Sequence, residues 1–363
     1  MGFNKPGKVI GDSGHQPAPT KISTMNPLNC LQDEARSVLT SILPAGTRVA
    51  LLDFPRHQNA GDSFIWLGAL AYFKQLGVRV DYVADVFCFD PSDLRKRLPK
   101  GPILITGGGN FGDRWTEHQA FRELVVSEFP DRQIIQLPQS LDFESKRGLE
   151  RAQRVLNAHE NLTLMFRQTA DMERAAKWFP NSRHVYCPDL ALGLGQIDRP
   201  RQASCDVLLL LRNDSESITR RNLDSFAQVV HEVTDWRLSG ISQLLWLAYR
   251  LPENVARVLS PFRYPLQSVI AWTYLRAARL NLEASANTLS QGRVVVTDRL
   301  HGMFLGALLG IPTIAMDNAN GKVSAIFSDY MGNFENIHMV GSLDEAAEKA
   351  VEILISEQRY LLP

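Results

Sequence analysis

The chain has 363 residues, 45% of them hydrophobic, and its 39 Lys and Arg balance its 39 Asp and Glu. That length supports two domains with separate cores, and a charge balance of zero supplies no field that would recruit nucleic acid. No run of about 18 uncharged apolar residues is present, so no bilayer span is expected. Cys30, Cys88, Cys187 and Cys205 lie scattered without metal-ligand or redox spacing, which predicts no metal site and reduced thiols in a cytoplasmic protein.

Residues 1–25 are rich in Gly, Pro, Ser and Thr and lack a secretory apolar stretch, and they read as a disordered leader. Thereafter short apolar strands alternate with helical patterns, the mark of a doubly wound α/β sheet. Strands are predicted over 48–53, 78–83, 102–106, 132–137, 162–166 and 184–187, forming a first Rossmann-like domain over 26–192. Asn59, Ala60, Gly61, Asp62 and Ser63 introduce a helix over 64–76. Asp62 and Ser63 suit helix caps, whereas Asn59 and Asp62 also suit the mouth of a ligand crevice.

Strand 102–106 runs into Gly107, Gly108, Gly109, Asn110, Phe111, Gly112 and Asp113. Such glycines let backbone approach a ligand, and Asn110 and Asp113 suit sugar hydroxyls or phosphate. The segment has neither the Lys-Ser/Thr of a P-loop nor the dinucleotide spacing. Pro138 is expected to end its strand and to turn Gln139 and Ser140 toward the crevice. Arg167, after another strand, reads as a structural ion-pair partner.

The Gly- and Pro-bearing stretch 193–204 reads as a linker, and 205–345 as a second Rossmann-like domain. Its first strand, 206–211, ends at Arg212. Within it, 236–290 forms a helical insert. Over 236–282 the insert holds three tryptophans, six arginines, no lysine and Glu253 as its one acid. Aromatics among arginines suit a membrane interface, an oligomer contact or nucleic-acid stacking, and equally a hairpin with a buried aromatic face. Val294, Val295 and Val296 form a buried strand that ends in Thr297, Asp298, Arg299, Leu300, His301 and Gly302, before a helix over 303–309. An acid, a guanidinium and an imidazole then stand at a strand's carboxyl end, where open α/β sheets bind ligands. A strand over 311–316 precedes Asp317, Asn318 and Lys322, which suits a substrate carboxylate. The last helix, 343–361, is expected to fold back toward the first domain from residue 346 on.

Asn59-Ala60-Gly61-Asp62, Gly107 to Asp113, Pro188-Asp189, Leu211-Arg212 and Thr297 to Gly302, in that order, resemble the polysaccharide pyruvyl transferase family over about residues 48–345. The resemblance implies two Rossmann-like domains with a cleft between them, as in GT-B glycosyltransferases. It implies transfer of the enolpyruvyl part of phosphoenolpyruvate to a sugar, often lipid-linked, with closure of a ketal and release of phosphate. No cofactor is implied beyond phosphoenolpyruvate as co-substrate. Arg212, Arg299, Leu300 and His301 are implied to hold this donor, with Lys322 beside them. Asn59, Asp62, Gly108, Gly109, Asn110 and Gln139 are left to the acceptor. Imidazole titrates near neutrality, so His301 suits proton donation or phosphate binding. Asp62, Asp113 and Asp298 are candidate bases, with Asp298 better suited to orienting His301 or Arg299. Two rivals share the architecture: a GT-B glycosyltransferase using a nucleotide sugar, and a non-catalytic saccharide-binding protein. Placement in the cytoplasm or at the inner face of a membrane fits all three.

Overall fold

A computed structural model describes residues 26–212, 223–318 and 321–360; the expected leader lies outside them. Two wholly parallel sheets organise the chain. The first contains β1 (Arg48–Leu52), β2 (Arg79–Ala84), β3 (Ile103–Ile105), β4 (Gly108–Phe111), β5 (Ile134–Leu141), β6 (Leu162–Phe166) and β7 (Arg183–Tyr186), in the order β2-β1-β3-β5-β6-β7 with β4 paired to β5. The second contains β8 (Cys205–Leu210), β9 (His231–Thr234), β10 (Gly292–Thr297), β11 (Thr313–Met316) and β12 (Ile337–Val340), in the order β12-β11-β10-β8-β9. Between strands run α1 (Pro27–Ile42), α2 (Ala60–Gln75), α3 (Pro91–Arg97), α4 (Thr116–Glu128), α5 (Lys146–Leu156) and α6 (Thr169–Trp178). The second half adds α7 (Gly240–Tyr249), α8 (Leu251–Val258), α9 (Arg263–Leu289), α10 (Leu300–Leu309), α11 (Lys322–Asp329) and α12 (Leu343–Tyr360).

Parallel strands covered on both faces alternate their side chains between two cores. In β1, Val49 and Leu51 face one cluster while Ala50 and Leu52 face another; in β10, Val295 opposes Val294 and Val296 in the same way. The expectation of separate cores fails at the inner faces. Val49 and Leu51 of the first sheet and Leu208, Leu210 and Val295 of the second belong to one continuous apolar cluster. The helices explain this merger, because α2 and α10 are apolar nearly all round and α9 packs on both, as a fully buried helix requires.

Three further expectations are corrected. The strand at Pro138 does not end there but continues to Leu141, and the pairing with β6 shifts register between Gln136 and Gln139. The proline's missing N–H therefore falls at an irregularity, where no ladder bond is lost. α12 does not fold back toward the first sheet. Leu343, Ala346, Ala347, Ala350 and Leu354 make a flat apolar stripe that packs with β8 and β10 in the outer core of the second sheet. The stretch read as a linker begins inside a tight 3₁₀ turn, Leu190–Leu194, pressed onto α2 where a Cβ on Gly68 would lie 1.9 Å from the Leu190 carbonyl oxygen. The helices α2 and α10 also start earlier than expected, at Ala60 and Leu300.

The insert between β9 and β10 is helical, as predicted, but it docks on the first half of the chain. Tyr274 stacks on Phe54 at 3.9 Å, Gln267 donates to the Val83 carbonyl at 2.9 Å, and Asn281 donates to Ser63 Oγ at 2.9 Å. Arg56 bridges Asp85 and Glu253, the one acid of 236–282. Burial, with the Asp85 charge beside it, pushes Glu253 up to about 7 from its ordinary 4.5. A carboxyl raised in this way adds stability that is complete below pH 4.5 and is lost as pH rises through about 7. Glu253→Gln is therefore expected to melt at a higher temperature than the parent at pH 8 and at the same temperature at pH 4.5, as read by circular dichroism.

Candidate active site

A cavity of about 450 Å³ opens where the carboxyl ends of strands from both sheets converge. Its lining joins most of the predicted residues: Asn59, Asp62, Gly109 and Asn110 from the first sheet's loops, and Arg212, Arg299, Leu300, His301 and Lys322 from the second's. The residues brought together are 100 to 260 positions apart in sequence. Ladder geometry explains the meeting, because parallel strands deliver all their carboxyl-end loops to one edge.

The second sheet's loops bring cations to the cavity. Arg299 heads α10 and bonds Asp235, with Nη2 2.6 Å from Oδ1. The first turn of α10 has no side-chain cap, and neither does that of α2. Both helices thus present open N–H groups at the cavity, a favourable setting for an anion. Asp62 and Ser63 do not cap α2; Asp62 instead accepts from Asn59 at 3.1 Å and faces His57 at 3.4 Å. Lys322 reaches across to Asp142 at 3.2 Å.

His301 is held from three sides. Its ring lies 5.5 Å from that of Phe304, its Nε2 is 3.5 Å from Asp189, and a Cβ on Gly61 would come within 2.4 Å of its Nδ1. Only glycine at position 61 allows that approach, which ties the Asn-Ala-Gly-Asp segment to the Arg-Leu-His segment physically. Asp189 is fully buried and also accepts from Arg167 Nη1 at 2.5 Å. Burial opposes its charge, yet Arg167 and His301 hold its carboxyl well below the usual range. The ion pair expected of Arg167 is therefore present, and Arg167 also lines the cavity. Asp189→Ala takes the carboxylate away from that buried guanidinium and leaves it the Ser140 hydroxyl at 2.9 Å, and is expected to cost about 3–5 kcal/mol in urea unfolding.

The first half of the chain contributes a pair that the sequence reading missed. His118, on α4, places Nδ1 2.7 Å from Asp53 Oδ1 and lines the cavity. With Nδ1 committed, Nε2 is the nitrogen left for a substrate. Burial opposes protonation of His118, but the bond to Asp53 outweighs it and raises its pKa above the ordinary 6.5. Asp53 sits just past β1 at φ 66°, the one non-glycine residue with positive φ among those described. It also accepts from Asn110 Nδ2 at 3.2 Å. Asn110 is fixed further by Gln139 at 2.8 Å and by buried Arg122 at 2.9 Å. Trp115 and Trp236 add aromatic surface to the cavity lining.

Four candidates lie behind the cavity surface. Gln139 is buried and positions Asn110. Gly108 has φ 139° and carries the chain from β3 into β4, while a Cβ on Gly107 would strike the Pro138 carbonyl oxygen at 2.4 Å, so of the three glycines only Gly109 lines the cavity. Asp298 accepts from the Arg212 backbone N–H at 2.8 Å, and burial raises its pKa. It thus anchors the Arg212 backbone, and the Arg299 charge acts on its carboxyl as well. Asp113 is occupied elsewhere: it accepts from the Glu144 and Ser145 amides at 2.6 and 3.0 Å and anchors the loop before α5. Its position in the sequence beside the glycine run gave it the look of a site residue, but the chain turns away at Gly112. Among the described residues no group of three or more His, Cys, Asp or Glu is placed to hold a metal ion.

Two parallel α/β sheets with a cavity lined by cations and polar groups at their strands' carboxyl ends define an α/β protein whose candidate site lies where such sheets bind ligands. The sequence profile of the family described as polysaccharide pyruvyl transferase matches residues 59–320. EpsO of Bacillus subtilis (strain 168), which bears the name of a pyruvyl transferase, is 30% identical over 307 residues, spanning 84% of this chain and 92% of its own. Pyruvyl transferase 1 of Schizosaccharomyces pombe is 29% identical over 328 residues, spanning 85% of this chain and 75% of its own. A solved structure of an uncharacterized protein from Klebsiella pneumoniae shares the fold, with a TM-score of 0.57 at 16% identity, covering 86% of this chain and 99% of that one. The chain belongs to the polysaccharide pyruvyl transferase family and is a pyruvyltransferase.

Proposed function

We propose that the enzyme transfers the pyruvyl group of phosphoenolpyruvate to a sugar of a polysaccharide or of its lipid-linked precursor, closing a pyruvate ketal and releasing phosphate. The observation that carries this reading is the gathering of two unlike groups of side chains around one cavity. The second half of the chain contributes Arg212, Arg299, His301, Lys322 and the uncapped start of α10, and the first half contributes Asp62, Asn110, His118 and Trp115, with Trp236 also in the lining. The first group suits a small molecule with a phosphate and a carboxylate, and the second suits a sugar's hydroxyls and apolar face. The reading includes a GT-B-like arrangement of two Rossmann-like halves, with donor and acceptor each held by one half, and a cytoplasmic site of action.

The chemistry requires a proton on the methylene carbon of phosphoenolpyruvate and removal of one from each of two sugar hydroxyls. His301 is placed to give the first, with Arg212 and Arg299 stabilising the charge on the phosphate. As the methylene becomes a methyl, the first hydroxyl oxygen bonds to the central carbon and its proton passes to His118 Nε2. Asp53 keeps His118 in the tautomer that accepts there. The second hydroxyl then bonds to the same carbon as the carbon–oxygen bond to phosphate breaks. Each addition releases one proton: one replaces the proton that the methyl group took, and the other leaves on the departing phosphate as hydrogen phosphate, so atoms and charge balance.

Isothermal titration of the protein with phosphoenolpyruvate, with a panel of sugar nucleotides alongside, tests the donor. Saturable binding of phosphoenolpyruvate, and phosphate release when a saccharide is added, support the reading. Binding of a sugar nucleotide with indifference to phosphoenolpyruvate overturns it in favour of glycosyl transfer.

A further inference from the structure

The three insert helices are apolar on two sides. Their inner sides carry Trp246, Ala256, Ile270 and Tyr274 into the shared core. Their outer sides repeat the pattern toward solvent. On α7 the exposed stripe is Ile241, Leu244 and Leu245; on α8 it is Leu251, Val255 and Val258; on α9 it is Val269 and Trp272. Each stripe keeps the three-to-four-residue spacing of a buried helix face. Ile241 and Val258 are 76% and 74% exposed, and Trp272 is 54% exposed. The three helices pack against one another, so the stripes lie on one compact helical unit. Apolar surface of this extent on a soluble protein marks a docking face.

Charge decides what docks. Glu253 is buried against Arg56, so the exposed charges on and just before the three helices are the cations Arg237, Arg257, Arg276 and Arg279 against the single acid Glu283, a net positive face. A second copy related by a two-fold axis would set arginines against arginines. An anionic lipid surface meets them with opposite charge. Aromatic placement agrees: Trp272 and Tyr249 meet edge to face at 5.9 Å with the Arg276 guanidinium 6.0 Å from both rings. That grouping suits the headgroup boundary, where rings sit at the polar edge and cations reach phosphates. No helix of the described residues is long and apolar enough to cross a membrane, so the helices would lie in the plane of the surface.

We propose that the outer face of α7, α8 and α9 seats the enzyme on an anionic lipid bilayer. The surface adjoins the cavity. Trp236 lines that cavity just before α7, and Gln243 of α7 accepts from Gln58, another lining residue, at 2.6 Å. A saccharide carried on a lipid in the same bilayer would then reach the acceptor residues directly. The docking face stands on its own observations, while this use of it rests on the pyruvyl transfer reading.

Co-sedimentation of the full chain with vesicles tests the proposal. Vesicles of phosphatidylcholine are compared with vesicles containing about 30% phosphatidylglycerol, for the parent, Leu244→Asp/Val258→Asp and Arg257→Glu/Arg276→Glu. The parent is expected to sediment with the anionic vesicles only, and each double variant to bind at least about tenfold more weakly. All three proteins should melt together and release phosphate equally from phosphoenolpyruvate with a soluble saccharide. Failure of the parent to bind anionic vesicles, equal binding by the variants, or equal binding to neutral vesicles overturns the proposal. So does a parent dimer in analytical ultracentrifugation that Leu244→Asp/Val258→Asp converts to monomer. Absence of phosphate release from every sample counts against pyruvyl transfer and leaves the sedimentation result readable.

Discussion

Arg299→Ala is expected to lower kcat/KM for phosphoenolpyruvate by about 10³-fold, the scale at which removal of one preorganised charge-stabilising donor acts. Three features set that expectation. The guanidinium is largely buried, so little solvent screens it. It stands at the uncapped start of α10, where the helix field already favours an anion. Its removal also leaves Asp235, its partner at 2.6 Å, with a carboxylate that repels the donor. Arg299→Lys should recover only part of the loss, because a point charge cannot replace a planar fork. Titration calorimetry and a phosphate-release assay read both effects, and circular dichroism checks that the variant is folded. Undiminished binding by Arg299→Ala would remove the donor site from this group of residues.

Asp53→Asn is expected to lower kcat by about 10²–10⁴-fold while leaving KM for phosphoenolpyruvate nearly unchanged, as loss of an oriented base does. Asparagine suits the site sterically, since it tolerates the positive φ of 66° observed there. The substitution therefore changes charge and tautomer control with little change in backbone. The pH profile supplies a second signature. Asp53 holds the His118 pKa above 6.5, so the rate of the parent should rise with pH through a limb above that value. In Asp53→Asn the limb should move to lower pH, because the proton is no longer held by a carboxylate 2.7 Å away. His118→Ala should remove the limb. An unchanged profile in both variants would assign the pair to structure alone.

What the sequence disclosed and what it hid follow from how each feature is encoded. Buried parallel strands announce themselves as apolar runs broken by polar loops, and β1, β6, β8 and β10 were legible for that reason. β9, with His231 and Glu232, is a half-exposed edge strand, and β4 is opened by two glycines; neither has an apolar run to reveal it. The Asp298–His301 segment was legible because an acid, a guanidinium and an imidazole stand at one strand's end. His118 carries no such mark, lying inside an ordinary helix pattern 65 residues from its partner. Asp53 reads as the last residue of a strand, and only the fold shows its backbone turned into the positive region. Asp113 misled for the opposite reason: a polar residue beside a glycine run resembles a ligand contact until the path of the loop is known.

The apolar layer common to the two sheets bears on how this enzyme can be taken apart or remade. A cut between β7 and β8 would bare α2 on one fragment and α10 with the buried face of α9 on the other, α2 and α10 being apolar over most of their circumference. Neither fragment should persist alone, and the intact chain should unfold in a single cooperative step. Exchanging one half for that of a relative would therefore demand that the interior be matched as closely as the cavity. The same continuity means that both groups of lining residues are in place before any ligand arrives, so shape is supplied by folding instead of by closure.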